Sequence, residues 1–200
     1  MNTLDDGYTD LPPGKIASVV TFLEMRTRPN LPATSVPSGL SLRRVERPAL
    51  DWYRNLFRRV GQEWLWFGRL QMNDDELRGV LWDDHVDVFA LSANEKDLGM
   101  LELDRRVPGE VEIAYFGVCS ELLGKGAGRF LLHKALDEAW SHAPQRVWLH
   151  TCNLDHPRAL EFYQKAGFVP YKFSIEVSAD PRLTGLLPMD AAPQVPIIKG

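Results

Sequence analysis

Residues 15–26 run KIASVVTFLEMR, rich in β-branched and aromatic side chains and short enough for a strand. Residues 39–46 predict a second strand. After Pro48, the positions Leu50, Tyr53, Leu56, Phe57 and Val60 recur at helical spacing. A second helical piece over 74–82 follows the polar cluster Asn73-Asp74-Asp75. Strands are then predicted over 85–93, 98–105 and 111–118, with Asn94 to Asp97 and Val107-Pro108-Gly109 as the turns between them. After a glycine-rich turn, residues 127–140 place Leu131, Leu132, Ala135, Leu136, Ala139 and Trp140 on one face of an amphipathic helix. A buried-type strand over 146–152 leads to a short helix over 157–166. There Pro157 suits the first helical position and Gly167 the residue past the end. The last strand covers 169–177.

The ends read differently. The first fourteen residues are polar and close on Pro12-Pro13-Gly14, which reads as a loose arm, and Pro29, Pro32 and Pro37 punctuate a linker. The tail carries Pro181, Pro188, Pro193 and Pro196, shows little periodicity, and is expected to lie along the surface. Hairpins followed by a strand–helix–strand unit imply one α/β domain: a mixed, mostly antiparallel sheet flanked by helices. The division expected is an arm with an extra strand packed on the domain over 1–38, the domain itself over 39–177, and a tail over 178–200.

Composition narrows the class. In 200 residues, 23 Lys and Arg face 27 Asp and Glu, a net charge of −4. A duplex-binding protein ordinarily carries a basic surplus, and the run Arg54, Arg58, Arg59 reads as a solvated helix face. No apolar run reaches the roughly 18 residues that span a bilayer. The acidic start MNTLDDGYTD lacks a signal segment, so the expected compartment is the cytoplasm. Cys119 and Cys152 form no Cys-x-x-Cys pair and read as small buried hydrophobes.

The most informative segment is Leu122-Leu123-Gly124-Lys125-Gly126-Ala127-Gly128-Arg129, between a strand and a helix. Alternating glycines let the backbone approach a bulky anion, and first-turn N–H groups lack intrahelical partners. Those donors, the helix dipole and the charges of Lys125 and Arg129 favour phosphate. A flexible turn with a tight helix–strand contact is the plainer alternative. The spacing is neither the Gly-x-Gly-x-x-Gly of dinucleotide folds nor a triphosphate loop.

Leu123-Gly124-Lys125-Gly126-Ala127-Gly128 resembles the Arg/Gln-x-x-Gly-x-Gly/Ala signature of the GCN5-related N-acetyltransferases, the GNAT family. Ala159-Leu160-Glu161-Phe162-Tyr163-Gln164-Lys165-Ala166-Gly167-Phe168 resembles that family's later helix, which ends in Tyr-x-Lys-x-Gly-Phe. The resemblance runs from about residue 39 to 177. It implies a sheet with a splayed strand pair and acetyl-coenzyme A as co-substrate, without a metal ion. The pyrophosphate is expected on the amides of Gly124, Lys125, Gly126, Ala127, Gly128 and Arg129. The pantetheine arm is expected to pair like an extra strand with Phe116, Gly117 and Val118, where Gly117 suits a bulge or a close backbone approach. Leu123 departs from the family's Arg or Gln. His156 stands where many members have an Asn on the cofactor arm, and Asn153 is a substitute for it. Helix capping by Asp155 or His156 is the other reading of that turn.

Acetyl transfer to an amine requires removal of the ammonium proton, polarisation of the thioester and protonation of the leaving thiolate. The resemblance makes Tyr163 the general acid and Glu112 the base, with attack directly from the amine; a core tyrosine and a solvated strand carboxylate are the plainer readings. His150 is the second candidate base, or a structural histidine. Trp64, Trp66 and Phe67 could wall an acceptor pocket, with Asp83 and Asp84 attracting a cation. The function expected is N-acetylation of a primary amine on a small molecule or a peptide, with no nucleic-acid or membrane partner and with a homodimer left open. A non-catalytic acyl-coenzyme A sensor is the alternative.

Overall fold

A computed structural model of the chain describes residues 4–199 apart from 31 and 33; the first three residues of the predicted arm lie outside it. Seven strands form one mixed, mostly antiparallel sheet. They are β1 (Lys15–Met25), β2 (Leu40–Arg44), β3 (Val86–Ala93), β4 (Lys96–Asp104), β5 (Glu110–Val118), β6 (Arg146–Cys152) and β7 (Val169–Ala179). Their order across the sheet is β2-β3-β4-β5-β6-β1-β7. Four helices accompany them: α1 (Leu50–Gly61), α2 (Asp74–Leu81), α3 (Ala127–Ser141) and α4 (Ala159–Lys165).

Local chemistry accounts for the helix boundaries. Asn73 Oδ1 accepts from the N–H groups of Asp75 and Glu76, both at 3.0 Å, and Glu76 Oε2 accepts from the Asn73 N–H at 2.9 Å. This reciprocal capping box satisfies donors that would otherwise be orphaned at the start of α2. At the far end of α4, Gly167 takes φ +104°, and its N–H donates to the Gln164 carbonyl at 2.9 Å. The sequence places the start of α4 two residues early, because Pro157 and Arg158 form a turn before the helix.

The core has two halves, one on each face of the sheet. On one face α3 buries Phe130, Leu131, Ala135 and Leu136 against Leu101, Leu103, Ile113 and Leu149. On the other, Tyr53, Leu56, Phe57 and Val60 of α1 meet Leu77 of α2 and Val88 and Met100 of the sheet.

Residues 4–13 are exposed and without regular structure, as expected of an arm, but the strand that follows and much of the tail are built into the fold. β1 is an interior strand, antiparallel to β6 through Val20↔Cys152 to Met25↔Val147 and to β7 through Lys15↔Ala179 to Glu24↔Val169. The extra strand expected in residues 1–38 is thus packed inside the sheet. The tail enters the second core half, where Leu187, Ala191 and Ala192 are buried. The buried Arg182 guanidinium binds Asp180 through Nε–Oδ1 (2.9 Å) and Nη2–Oδ2 (2.7 Å), and its Nη1 donates to the carbonyls of Ala191 and Val195. Gln194 Nε2 in turn donates to the Glu63 carbonyl at 2.9 Å. The tail is thus stapled by polar bonds that leave no hydrophobic period in the sequence.

Candidate active site

β5 and β6 are paired only over Glu110↔Arg146, Val111↔Val147 and Glu112↔Trp148. Beyond that point they part. Glu102 of β4 faces Tyr115 while Leu103 faces Ile113, so Ala114 is the extra residue of a β-bulge. The bulge sits at Ala114 and not at Gly117. Gly117 serves a close approach instead: a Cβ there would lie 2.6 Å from Val60 Cγ1 and 3.1 Å from the Trp66 ring. The splay opens a cleft of about 550 Å³, which residues 113–118 line on the β5 side. With no strand against them on the β6 side, the backbone groups of Phe116, Gly117 and Val118 are placed to pair with an extended ligand.

One end of the cleft is the glycine turn. Gly124 and Gly126 take φ +74° and +77°, and a Cβ on either would project into open space, not into protein. Gly126 is the N-cap of α3, so the amides of Ala127, Gly128 and Arg129 have no intrahelical partner. The amides of Gly124 and Gly126 have no backbone partner among the described residues, whereas the Lys125 N–H donates to the Leu122 carbonyl at 3.3 Å. Lys125 therefore contributes charge more than its amide. Gly124, Gly126, Gly128, Arg129 and Arg158 line this end of the cleft. Free amides at a helix N-terminus beside two guanidinium groups favour an anionic, phosphate-type ligand.

Tyr163 lies midway, on α4, packed among Phe116, Phe162 and Phe168. It is buried and lines the cleft, and its hydroxyl has no hydrogen-bond partner among the described residues. Burial, reinforced by the nearby Asp155 charge, pushes its phenol well above the usual tyrosine value, so it remains a proton donor.

The two base candidates are brought together. His150 Nδ1 is 3.6 Å from Glu112 Oε1, and the imidazole lines the cleft while the carboxylate stands behind it. Of the remaining candidates, His156 lines the cleft against Trp64, and its Nδ1 accepts from the Arg158 N–H at 3.1 Å, a turn-capping bond. Asn153 is turned away: its Oδ1 accepts from the Val19 N–H at 2.7 Å and extends the β1–β6 ladder. Asp83 and Asp84 are also absent from the cleft. Asp83 accepts from the His85 N–H at 2.8 Å, and the Asp84 carbonyl accepts from Arg105.

Trp64, Trp66 and Phe67 wall the other end of the cleft, with Tyr115, Glu63 and Glu176. Beneath them lies a polar network. Tyr53 and Arg69 both donate to the fully buried Glu102, and the Arg69 guanidinium stacks 5.0 Å from the Tyr115 ring. Burial pushes the Tyr115 phenol up to about 12. The lining of the cleft thus combines aromatic rings and the carboxylates of Glu63, Asp155, Glu161 and Glu176 with the guanidinium groups of Arg129 and Arg158. Asp155, which the sequence reads only as a capping residue, is a hub of hydrogen bonds in the lining of the cleft. It spans the cleft by accepting from Trp66 Nε1 (3.1 Å), Thr151 Oγ1 (2.7 Å) and the Cys152 N–H (2.9 Å). Asp87, Glu138 and His142 come together elsewhere, but Asp87 is already paired with Arg44 and Arg105.

Residues 50–168 match the model of the Acetyltransferase (GNAT) family. Spermidine N(1)-acetyltransferase of Vibrio cholerae is 29% identical over 147 residues, which is 66% of this chain and 80% of that protein. Among solved structures, a GCN5-related N-acetyltransferase from Sphaerobacter thermophilus aligns with a TM-score of 0.58 at 15% identity. That alignment covers 81% of this chain and 51% of the other, so the chain spans about half of that structure's length. An aminoglycoside acetyltransferase from an uncultured soil metagenomic sample aligns with a TM-score of 0.51 at 17% identity, over 66% of this chain and 90% of that one. These structural likenesses concern the fold. The family match covers more than half of the chain and contains the splayed strands, the glycine turn and Tyr163: the chain belongs to the GNAT acetyltransferase family.

Proposed function

We propose that the protein transfers an acetyl group from acetyl-coenzyme A to a primary amine of a small cationic molecule. The observation that carries this reading is that one cleft is lined by the glycine turn, the buried Tyr163 and a set of aromatic and acidic side chains. The residues fit the co-substrate. Gly124, Gly126, Ala127, Gly128 and Arg129 would hold its pyrophosphate, and Phe116, Gly117 and Val118 its amide-bearing arm. Bound there, acetyl-coenzyme A supplies the acetyl group and the thiol leaving group.

The chain's own residues then manage two protons. His150, oriented by Glu112, takes the proton that the acceptor ammonium must lose before its nitrogen can attack. As the N–C bond formed and the C–S bond broke, the Tyr163 hydroxyl would give its proton to the departing sulfur, and the second proton of the attacking nitrogen would pass through solvent to restore the phenol, leaving the neutral amide and the free thiol. Direct attack is supported by the cysteines. Burial pushes the Cys119 and Cys152 thiols up to about 11, so neither is a ready thiolate nucleophile. Glu63 and Glu176, with the rings of Trp64 and Trp66, favour an acceptor that keeps positive charge beyond the reacting amine. The spermidine acetyltransferase relative supports the same class of acceptor.

The test is a panel of monoamines, diamines, polyamines and lysine peptides incubated with acetyl-coenzyme A while thiol release is followed. Turnover with di- and polyamines above that with monoamines and peptides is the expected result. Absence of turnover across the panel, with acetyl-coenzyme A bound, would favour a sensor instead.

A further inference from the structure

The β-bulge at Ala114 changes which face of the sheet the rest of β5 addresses. Val111 and Ile113 point into the core under α3, and unbroken alternation would send Tyr115 there as well. The extra residue turns Tyr115 to the other face, against the core of α1, and returns Phe116 and Val118 to the first. There the Tyr115 ring meets Phe57 edge-on at 4.7 Å, Trp66 at 5.4 Å and the Arg69 guanidinium at 5.0 Å. Arg69 is itself held by the buried Glu102, the cross-strand neighbour of Tyr115. The ring is therefore fixed, and with it the position of its hydroxyl. A Cβ on Gly68 would lie 2.5 Å from that oxygen, so a side chain at 68 would displace it. Tyr115 and Gly68 both line the cleft, and the hydroxyl forms no hydrogen bond among the described residues while staying open to solvent.

We propose that the Tyr115 hydroxyl determines acceptor specificity: its oxygen accepts a hydrogen bond from a second ammonium group of the acceptor, beyond the nitrogen that is acetylated. This rests on the acetyl-transfer reading above and adds to it a residue and a narrower class of substrate. Burial pushes the phenol up to about 12, so it is neutral and its oxygen is free to accept. Glu102, Glu112 and Glu176 all act on it electrostatically, against Arg69. Arg69 is bonded to Glu102, and Glu112 stands 3.6 Å from His150, whereas Glu176 forms no ion pair among the described residues. The charge of Glu176 therefore remains to favour a cation in this part of the cleft, and it raises the pKa of any ammonium held there. That would hinder the reacting nitrogen, which has to give up a proton before it attacks. It suits a nitrogen that keeps its charge. Tyr163 packs on Phe116, at the opposite face of β5, so the two phenols are not interchangeable.

The test compares butylamine with diaminobutane and hexylamine with diaminohexane, pairs that differ by one ammonium group, in steady-state kinetics on the full chain. Wild type is expected to favour the diamine in kcat/KM, and the pair with the larger ratio is used for the variants. Tyr115→Phe keeps the ring and removes the oxygen. It should lower the ratio of diamine to monoamine about tenfold or more, the usual effect of losing a hydrogen bond to a charged group. Gly68→Ala, which displaces the hydroxyl, should lower the same ratio and the melting temperature. Combined with Tyr115→Phe, it should lower the ratio no further and cost no melting temperature, because the nearest ring atom would then be 3.8 Å from the new Cβ. Calorimetric titration of the diamine into protein holding coenzyme A reads the same contact without turnover, and its affinity should weaken about tenfold in Tyr115→Phe. That weakening in the absence of any turnover would uphold the contact and overturn the acetyl-transfer reading instead. No preference for either diamine in wild type, an unchanged ratio in Tyr115→Phe, or an equal loss with diamine and monoamine would each overturn the inference.

Discussion

The indole N–H of Trp66 donates to Asp155 Oδ1 at 3.1 Å, which ties the aromatic wall of the acceptor end to the loop that enters α4. Trp66 follows Leu65, a buried residue held at φ 54°, and fits only because Gly61 and Gly117 leave room for its ring. The aromatic wall of the cleft and the entry to the helix that carries Tyr163 are thus tied to one carboxylate. Asp155→Ala would strand three donors, each costing about 1–3 kcal/mol when left unsatisfied and buried. The expected outcome is a lower melting temperature and a raised KM for the amine, with Asp155→Asn restoring part of both. Steady-state kinetics with each substrate varied in turn checks it.

The cradle prediction separates strain from obstruction. Gly126 occupies the left-handed region, where a side chain costs about 1–2 kcal/mol. Gly126→Ala and Gly126→Glu should therefore lose similar stability on their own. Acetyl-coenzyme A should raise the melting temperature of wild type by linkage. That rise should vanish in Gly126→Glu, whose carboxylate occupies the anion site. An undiminished rise would move the pyrophosphate elsewhere.

His150 Nδ1 lies 3.6 Å from Glu112 Oε1, and the proposed mechanism has the two act as a unit. Glu112→Gln and His150→Gln should each flatten the rising limb of the pH–rate profile, and the double variant should be little worse than the poorer single one. Profiles of unchanged shape in both variants would remove the pair from proton transfer.

Most of the elements were legible because their signals are local. The capping residues of α2, the glycine after α4 and the amphipathic face of α3 lie within a few residues of what they determine. The place of β1 was not legible, since its partners Cys152 and Ser174 lie more than a hundred residues away. The tail was opaque for another reason: the Arg182 guanidinium anchors it to carbonyls, which every sequence possesses. At the site, the glycine turn and Tyr163 were visible as motifs. Asp155 as a bridge was not, because its partner Trp66 is far away in sequence, and neither was the bond of the Asn153 side chain to β1, for the same reason.

The tail also supplies a pH dependence. The hydrogen-bonded Arg182 guanidinium holds the Asp180 carboxyl below its usual value, outweighing the opposing effect of burial. A carboxyl whose value is lowered by folding contributes stability above its unfolded value of about 3.9, and that contribution is lost as pH falls through the folded value. Asp180→Asn should destabilise the protein at neutral pH by about 3–5 kcal/mol, since it leaves Arg182 buried without its counter-charge. Its melting temperature should then fall less steeply than that of wild type below about pH 4. Parallel slopes from thermal melts at a series of pH values would contradict this.

The most direct test of the catalytic account is the turnover of Tyr163→Phe. The substitution removes one hydroxyl that has no hydrogen-bond partner among the described residues and keeps the ring among Phe116, Phe162 and Phe168. A proton given to the leaving sulfur acts only in the transition state, so kcat and kcat/KM should fall together. General acid catalysis is worth about 10²–10⁴-fold, and a fall of about tenfold or more is expected with calorimetric affinity for coenzyme A unchanged. Unchanged turnover at matched affinity would make Tyr163 a packing residue and contradict the mechanism.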